Sequence, residues 1–205
     1  MRRRVPLELA ITALGLALVA VLVGWCGAAA DSPSLAPAPR DSSIATFLLV
    51  RHAEKDTVVA GNDPPLRAEG LVRAQELVHA AGAAGVSTIY VTHWTRNRQT
   101  AGPIAAALGE SLTVVDPVDE TLQRLKTRHF GETVLVVGHS NTVPQIVAGL
   151  TGRTLVSPVR YDGLWVITLS RDGRTTLASL RYGAPDTSPP ETPRPAATPA
   201  KPATR

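Results

Sequence analysis

Three short aliphatic segments of this chain each end abruptly in polar side chains, and this recurring pattern limits the folds that the sequence can adopt. The segments, each with the residues that follow it, are 47–50 with Arg51 and His52, 88–91 with Thr92 to Arg96, and 133–137 with Gly138, His139 and Ser140. Continuous aliphatic strands are typical of a parallel sheet that is buried on both faces. Ligands of open α/β sheets bind beyond the carboxyl ends of the strands. The three strand ends therefore predict one pocket of phosphate size.

Helical and strand patterns alternate along the middle of the chain. Helices are predicted over 66–84, 95–108, 119–129 and 141–150, and strands over 44–50, 88–91, 112–115 and 133–137. Segments 163–169 and 175–180 predict a β-hairpin that turns at Asp172-Gly173, because Asp-Gly favours tight hairpin turns. This order predicts an α/β fold, a three-layer sandwich with a mostly parallel central sheet, helices on both faces and an antiparallel hairpin at one edge.

Composition divides the chain into four regions. Residues 1–30 form a targeting segment, residues 31–43 a flexible linker rich in Pro, Ala and Ser, and residues 44–182 the folded domain. Residues 183–205 are rich in Pro, Ala and Thr without apolar periodicity, which predicts a disordered tail.

The first 30 residues have three arginines followed by a long apolar run. A basic flank of this kind stays in the cytoplasm while the apolar run enters or crosses the bilayer. Three interpretations remain open: a signal peptide cleaved after Ala30, an uncleaved membrane anchor, or a lipid attached to Cys26, which the bulky Trp25 disfavours. All three predict an exported domain, periplasmic or extracellular, and the last two attach it to the membrane.

The charge and cysteine content exclude several kinds of partner. The sequence pI is about 9.7, but much of the basic excess lies at the two ends of the chain. The middle has no basic patch interleaved with aromatic residues, so we expect no nucleic-acid partner. Cys26 is the only cysteine, which excludes a disulfide framework and a thiolate metal site in the domain. No His-x-x-x-His spacing occurs, and we expect neither a metal nor a cofactor.

Two histidines and two arginines follow the predicted strands and carry the candidate chemistry. Neutral imidazole is a nucleophile that can form a covalent intermediate, which suits His52. Arg51 offers a planar fork of donors that matches phosphate oxygens. Arg96 lies where a helix begins, so backbone N–H groups add to the anion site. His139 and Ser140 complete the predicted pocket, with Gly138 allowing a close turn out of the strand.

The proton donor for a leaving oxygen is less clearly indicated. Asp116, Asp119 and Glu120 follow the third strand, and a pocket of low dielectric would raise the pKa of a carboxyl group there. These residues could instead complement the dipole of the next helix. Glu120 is the candidate that we select, with Glu54 and Asp56 as rivals that lie just after His52.

The remaining histidines have simpler interpretations. His79 and His129 are expected to be helix-surface or hydrogen-bonded histidines. His93 follows a strand and could line the pocket, but a structural role is favoured. Arg98 lies two residues after Arg96 and should point away from it, as a solvated surface charge.

Four motifs together resemble the histidine phosphatase superfamily, branch 1, also called phosphoglycerate-mutase-like. The segment Leu49-Val50-Arg51-His52-Ala53-Glu54 is similar to the family's Arg-His-Gly signature, with Ala in place of Gly. The other three are Thr92-x-x-x-Arg96-x-x-Gln99-Thr100-Ala101, the Pro65-Leu66 pair with Gly70, and Val137-Gly138-His139-Ser140-Asn141. The resemblance covers about residues 47–148, and the chain is similar in size to the small phosphohistidine phosphatases.

The resemblance implies a metal-free phosphoryl transfer. His52 would take the phosphoryl group as phosphohistidine, and Arg51, Arg96, His139 and Ser140 would bind its oxygens. The implied substrate is a phosphorylated small molecule or a phosphoprotein. Two alternatives remain open: a non-catalytic module that binds phosphate or a phosphopeptide, and a phosphoglycerate-type mutase, which the short chain and the absence of a lid segment disfavour.

Overall fold

The structure, a computed structural model, describes residues 43–58, 61–155 and 158–188. The strands in these ranges are β1 (Ile44–Arg51), β2 (Val86–Val91), β3 (Leu112–Val114), β4 (Thr133–Gly138), β5 (Gly163–Ser170) and β6 (Thr175–Arg181). The helices are α1 (Ala68–Ala81), α2 (Thr95–Leu108), α3 (Val118–Arg128) and α4 (Thr142–Thr151). Every element predicted from the sequence lies within these bounds or overlaps them, and α2 continues through Pro103.

The six strands form one sheet in the order β3-β2-β4-β1-β5-β6. Strands β3, β2, β4 and β1 run parallel to one another, whereas β5 is antiparallel to β1 and β6 is antiparallel to β5. The predicted fold class, a mostly parallel sheet with an antiparallel hairpin at one edge, is confirmed.

The alternation of side chains along β1 shows why helices cover both faces of the sheet. Phe47 and Leu49 pack in a core cluster with residues of α3 and α4, such as Leu125 and Ile146. Leu48 and Val50 point to the opposite face and pack with residues of α1 and α2. Because both faces of β1 are buried over most of its length, its sequence is apolar almost throughout, as the pattern of residues 44–50 indicated.

Strand register brings the predicted site residues to the same edge of the sheet. Arg51 is paired with Gly138, and Val91 is paired with Val137. The backbone N–H of His52 donates to the carbonyl oxygen of Gly138 at 2.9 Å, so the loop after β1 leaves the sheet against the end of β4. The polar residues after β1, β2 and β4 therefore meet at the carboxyl edge of the central strands.

The described chain extends past the predicted domain end at Tyr182. The backbone N–H of Tyr182 donates to the backbone carbonyl of Asp162 at 3.0 Å. The carbonyl of Ala184 accepts a hydrogen bond from the Arg73 side chain at 2.9 Å. Asp186 accepts the backbone N–H of Tyr161 at 2.9 Å. Residues 183–188 therefore pack against the domain, although composition alone placed them in the disordered tail.

The predicted targeting segment, nearly all of the linker and the tail beyond residue 188 lie outside the described residues. Within residues 43–58, 61–155 and 158–188, no helix has the length and apolar character that a membrane span requires.

Candidate active site

His52 directly follows β1 and has only 3% of its surface exposed. Its Nδ1 is 2.8 Å from the carbonyl oxygen of Ala53. A carbonyl can only accept, so Nδ1 carries the hydrogen and Nε2 keeps its lone pair. Burial lowers the pKa of His52 well below the ordinary value, and the charges of Arg51, His139 and Arg96 lower it further. The imidazole is therefore neutral and held in the tautomer that a nucleophile needs.

His139 lies against His52, with ring centroids 5.2 Å apart and planes at 68°. Its Nε2 is 3.0 Å from the hydroxyl of Thr92, and its backbone N–H donates to the hydroxyl of Thr142 at 2.8 Å. Burial, followed by the charges of Arg96 and Arg51, lowers the pKa of His139 to about 4. The two imidazoles are thus fixed, neutral and side by side.

Arg51 is almost fully buried and lies over an aromatic ring. Its guanidinium carbon is 3.8 Å from the centre of the Tyr161 ring, and one terminal nitrogen donates to the carbonyl of Val159 at 3.0 Å. The Tyr161 ring is also 5.8 Å from the His52 ring. Tyr161 therefore holds Arg51 beside the nucleophile. The sequence motifs did not indicate Tyr161, because it precedes β5 and belongs to none of them.

Arg96 lies in the first turn of α2, where the sequence placed it. Its guanidinium is 4.6 Å from the Trp94 ring and 3.8 Å from a carboxylate oxygen of Asp63. Asp63 accepts the backbone N–H and the hydroxyl of Thr95, at 2.9 and 2.7 Å. These hydrogen bonds from Thr95, more than the charge of Arg96, lower the pKa of Asp63. Asp63 therefore caps the start of α2 and orients Arg96.

Two buried polar side chains of α2 fix the helix to the ends of the strands. The amide nitrogen of Asn97 donates to the carbonyls of Val137 and Gly138, at 2.8 and 3.2 Å. The hydroxyl of Thr100 accepts the backbone N–H of Ala53 at 2.9 Å and donates to the carbonyl of Arg96 at 2.7 Å. Both side chains are fully buried, so α2, β4 and the loop after His52 form one hydrogen-bonded unit.

Ala53 occupies the position where the family signature has Gly. In the described part of the chain only glycines have a positive φ, so the φ of Ala53 is not positive. The side chain of Ala53 is completely buried in a small cluster with Leu66 and Ala74. The substitution therefore causes no backbone strain.

Two of the predicted proton donors form ion pairs with arginines. Glu54 is 3% exposed and accepts three hydrogen bonds from Arg73, at 2.7 to 3.0 Å. Glu120 is paired with Arg124, one turn later on α3, at 2.5 and 3.0 Å. Both carboxylates are thus occupied by hydrogen bonds from arginine side chains. Neither Glu120, which the sequence selected, nor its rival Glu54 contacts His52 or His139 in the described structure.

The other candidate acids differ in their surroundings. Asp56 accepts the backbone N–H of Val58 at 2.7 Å and so shapes its own loop. Asp119 is exposed in the first turn of α3, the position where a carboxylate complements the helix dipole.

Asp116 forms a pair with His93, and this pair lies on the His139 side of the pocket. One carboxylate oxygen of Asp116 accepts both the backbone N–H of His93, at 2.9 Å, and its Nδ1, at 2.7 Å. The His93 ring stacks on Trp94 at 4.5 Å. Asp116 lines a small cavity together with Thr92 and Thr142, the two residues that hydrogen-bond His139. Both residues were candidates from the sequence, but their contact was not predicted.

The remaining residues singled out in the sequence have structural or surface positions, apart from Ser140. His129 is 2.7 Å from the Tyr90 hydroxyl and 2.7 Å from Glu132, and His79 is exposed on α1. Arg98 is exposed, and Ser140 is half-buried next to His139. Among the described side chains, no group of three or more His, Cys, Asp or Glu residues is placed to hold a metal ion.

The fold and the site define an α/β protein with two histidines and two arginines at the carboxyl edge of its sheet. The model of the histidine phosphatase superfamily (branch 1) matches residues 47–121, a range that contains Arg51, His52 and Arg96. The resemblance inferred from the motifs is thereby confirmed. No curated protein matches the sequence.

Solved structures with this fold include several phosphatases and a mutase. The protein histidine phosphatase SixA, complexed with tungstate, is 19% identical with a TM-score of 0.56, covering 66% of this chain and 96% of that one. The α-ribazole phosphatase of Shigella flexneri is 16% identical with a TM-score of 0.55, covering 66% and 96%. The phosphoglycerate mutase of Plasmodium falciparum is 19% identical with a TM-score of 0.51, covering 74% and 98%.

Proposed function

We propose that the protein is a metal-independent phosphatase that hydrolyses phosphomonoesters or phosphoprotein through a phosphohistidine intermediate on His52. The observation that carries the proposal is the state of His52. Its imidazole is buried and neutral, with the Nε2 lone pair available, and it lies beside His139 and Arg51. A nucleophile next to fixed positive charge is the arrangement that phosphoryl transfer requires.

The reaction has two displacements. In the first, Nε2 of His52 attacks phosphorus, a P–N bond forms, and the bond from phosphorus to the leaving oxygen breaks as that oxygen takes up a proton. In the second, water attacks phosphorus, the P–N bond breaks, and phosphate leaves while the proton of the water returns to the donor. Arg51, Arg96 and His139 bind the phosphoryl oxygens, on which charge is spread in the transition state.

We assign the proton donor to His93, held by Asp116. The carboxylate fixes Nδ1 and leaves Nε2 of His93 as the atom that gives and regains the proton, which is the role of a carboxylate-oriented histidine. Glu54 and Glu120 are paired with arginines, whereas the side chain of His93 is 56% exposed.

The comparisons support the general class of this activity. The family model covers the first histidine motif, and the similar folds include a protein histidine phosphatase and an α-ribazole phosphatase. We also propose that the domain acts outside the cytoplasm, which is supported by the basic and apolar pattern of residues 1–30.

The test uses the purified full-length protein in mild detergent with p-nitrophenyl phosphate and excess EDTA. His52→Ala is compared with the parent and with His79→Ala, a matched control that removes an exposed histidine of α1. We expect turnover by the parent and the control, and none by His52→Ala. Acid-labile, base-stable phosphoprotein should accumulate in the parent during rapid quenching.

Two outcomes would contradict the proposal. Turnover by His52→Ala at the rate of the parent would exclude His52 as the nucleophile. A parent that binds vanadate but does not turn over this activated ester would favour the binding-module alternative.

A further inference from the structure

The segment just before β5, residues 158–162, supplies two contacts to Arg51, and we refer to it as the arginine support. The Val159 carbonyl accepts a hydrogen bond from the Arg51 guanidinium at 3.0 Å, and the Tyr161 ring centre lies 3.8 Å from the guanidinium carbon. Val159 and Tyr161 are both buried. Because Arg51 lies next to His52 in the chain, the position of this support affects how Arg51 presents its donors beside the nucleophile.

The arginine support is itself held by residues 183–188, which we call the strap. One carboxylate oxygen of Asp186 accepts the backbone N–H of Tyr161 at 2.9 Å. The backbone N–H of Asp186 donates to the carboxylate of Asp162 at 3.2 Å, and its carbonyl accepts a hydrogen bond from the Arg160 side chain. Asp186 therefore contacts three consecutive residues of the arginine support.

The carboxylate of Asp186 is shielded from solvent in this contact. Its side chain is 4% exposed and lies 3.9 Å from the Arg160 guanidinium. Burial raises the pKa of Asp186, but the backbone hydrogen bonds from Tyr161 and Ser188 outweigh burial, and the pKa lies below its ordinary value. The carboxylate is therefore ionised at neutral pH, and hydrogen bonds from N–H groups to an ionised acceptor are stronger than those to a neutral one.

The start of the strap is fixed to the loop that follows His52. One terminal nitrogen of Arg73 donates to the carbonyls of Tyr182 and Ala184, at 3.1 and 2.9 Å. The same guanidinium binds the buried carboxylate of Glu54, which lies two residues after His52 in the chain. The strap therefore connects the loop after the nucleophile with the arginine support.

We infer that Asp186 is a positioning residue for the phosphoryl site, because through the backbone of Tyr161 it fixes the ring against which Arg51 lies. This inference rests on the phosphate-binding part of the proposed function. Arg binds two phosphate oxygens only in a defined orientation, since its donors form a planar fork. Asp186 belongs to none of the sequence motifs and lies in the segment that composition assigned to the tail.

The test is a double-mutant cycle on the binding of inorganic phosphate by the full-length protein in mild detergent, followed by phosphorus NMR. We expect Asp186→Ala to weaken binding roughly tenfold, the size of one charge-assisted contact. In the background of Arg51→Gln the same change should have almost no further effect, because the guanidinium that it positions is absent. A substitution that only loosened the fold would weaken binding in both backgrounds.

Two further variants complete the test. Asp186→Asn keeps one oxygen that can accept the backbone N–H of Tyr161, so it should retain more of the phosphate affinity than Asp186→Ala. The matched control is Asp172→Ala. It removes a carboxylate that accepts the backbone N–H of Arg174 at 3.2 Å in the turn between β5 and β6, and it should bind phosphate like the parent.

The outcomes separate this inference from the proposed function. The inference is wrong if Asp186→Ala binds phosphate as tightly as the parent, or if its loss is the same in the Arg51→Gln background. Should circular dichroism show that Asp186→Ala does not fold, the cycle is run with Asp186→Asn, whose smaller loss must likewise depend on Arg51. A parent that binds phosphate but does not turn over p-nitrophenyl phosphate overturns the phosphatase proposal alone. A parent that binds no phosphate overturns both.

Discussion

The carboxylate of Glu54 and the guanidinium of Arg73 form a bidentate pair that is buried at 3% and 5% exposure. Removing one partner of such a pair leaves an uncompensated buried charge. We therefore expect Arg73→Ala to lower the free energy of unfolding by about 3–5 kcal/mol. Arg124→Ala is the control, because it breaks the more solvated pair with Glu120 and should destabilise the protein much less.

Urea denaturation followed by circular dichroism measures both values. The double variant Glu54→Leu with Arg73→Met removes both charges and should recover most of the loss. If Arg73→Ala were no less stable than Arg124→Ala, the buried pair would not hold α1 against the loop after His52.

Gly70 marks a close approach between α1 and that same loop. A Cβ atom at Gly70 would lie 2.3 Å from the carbonyl oxygen of Glu54, a contact that backbone atoms must move to relieve. We expect Gly70→Ala to destabilise the protein by about 1–3 kcal/mol, the usual cost of overpacking. Gly102→Ala is the control in α2, where a Cβ meets nothing within 4 Å and should stabilise the helix by about 0.5–1 kcal/mol. Thermal unfolding of both variants gives the sign of each change in stability. A Gly70→Ala variant more stable than the parent would contradict the close approach of α1 to Glu54.

The proton-donor assignment is tested by changing the leaving group. We expect His93→Gln to lower kcat/KM on an alkyl phosphate by about 10²–10⁴-fold, because a poor leaving group needs the proton most. On p-nitrophenyl phosphate the loss should be much smaller. Glu120→Gln should affect the two substrates equally and little, since its carboxylate is paired with Arg124. If the loss of kcat/KM depended more on the leaving group in Glu120→Gln than in His93→Gln, Glu120 rather than His93 would be the proton donor.

The environment of His139 predicts how its charge depends on pH. Burial and the charges of Arg96 and Arg51 lower its pKa to about 4, so His139 is neutral at pH 7 in the free protein. In the unfolded chain its pKa is 6.5, so protons bind the unfolded state first as the pH falls. The stability that neutral His139 contributes is therefore present above pH 6.5 and is lost progressively between pH 6.5 and 4, and His52 acts in the same direction.

Proton NMR of the imidazole Cε1–H measures this pKa, with His139→Gln identifying the resonance. Bound phosphate dianion favours the imidazolium, so the pKa of His139 should rise when phosphate is added. A midpoint near 6.5 in the free protein would show that the ring is more solvated than the structure indicates.

The sequence predicted the sheet and the positions of Arg51, His52, Arg96 and His139 well, for a physical reason. Buried parallel strands must be apolar, so the polar residues that end them stand out and lie at one edge. The supporting contacts were not predictable in the same way. Tyr161 beneath Arg51 and Asp63 beside Arg96 come from loops whose approach depends on the whole fold.

The proton donor could not be identified from the sequence alone. Composition offered several carboxylates after β1 and β3, and only the positions of Arg73 and Arg124 show which of them are already engaged. The contact between His93 and Asp116 joins residues that are 23 positions apart, and no spacing rule indicates it.

The hydrogen bonds of Asn97 to the end of β4 have a consequence for how the protein responds to its surroundings. They tie the residue after Arg96 to the residue before His139, so the positions of these two side chains are coupled. Under the proposed function the same groups would also bind free inorganic phosphate, so the product would compete with the substrate. The proposed activity would then be highest where phosphate is scarce. Abundant phosphate would inhibit it without a separate regulatory site.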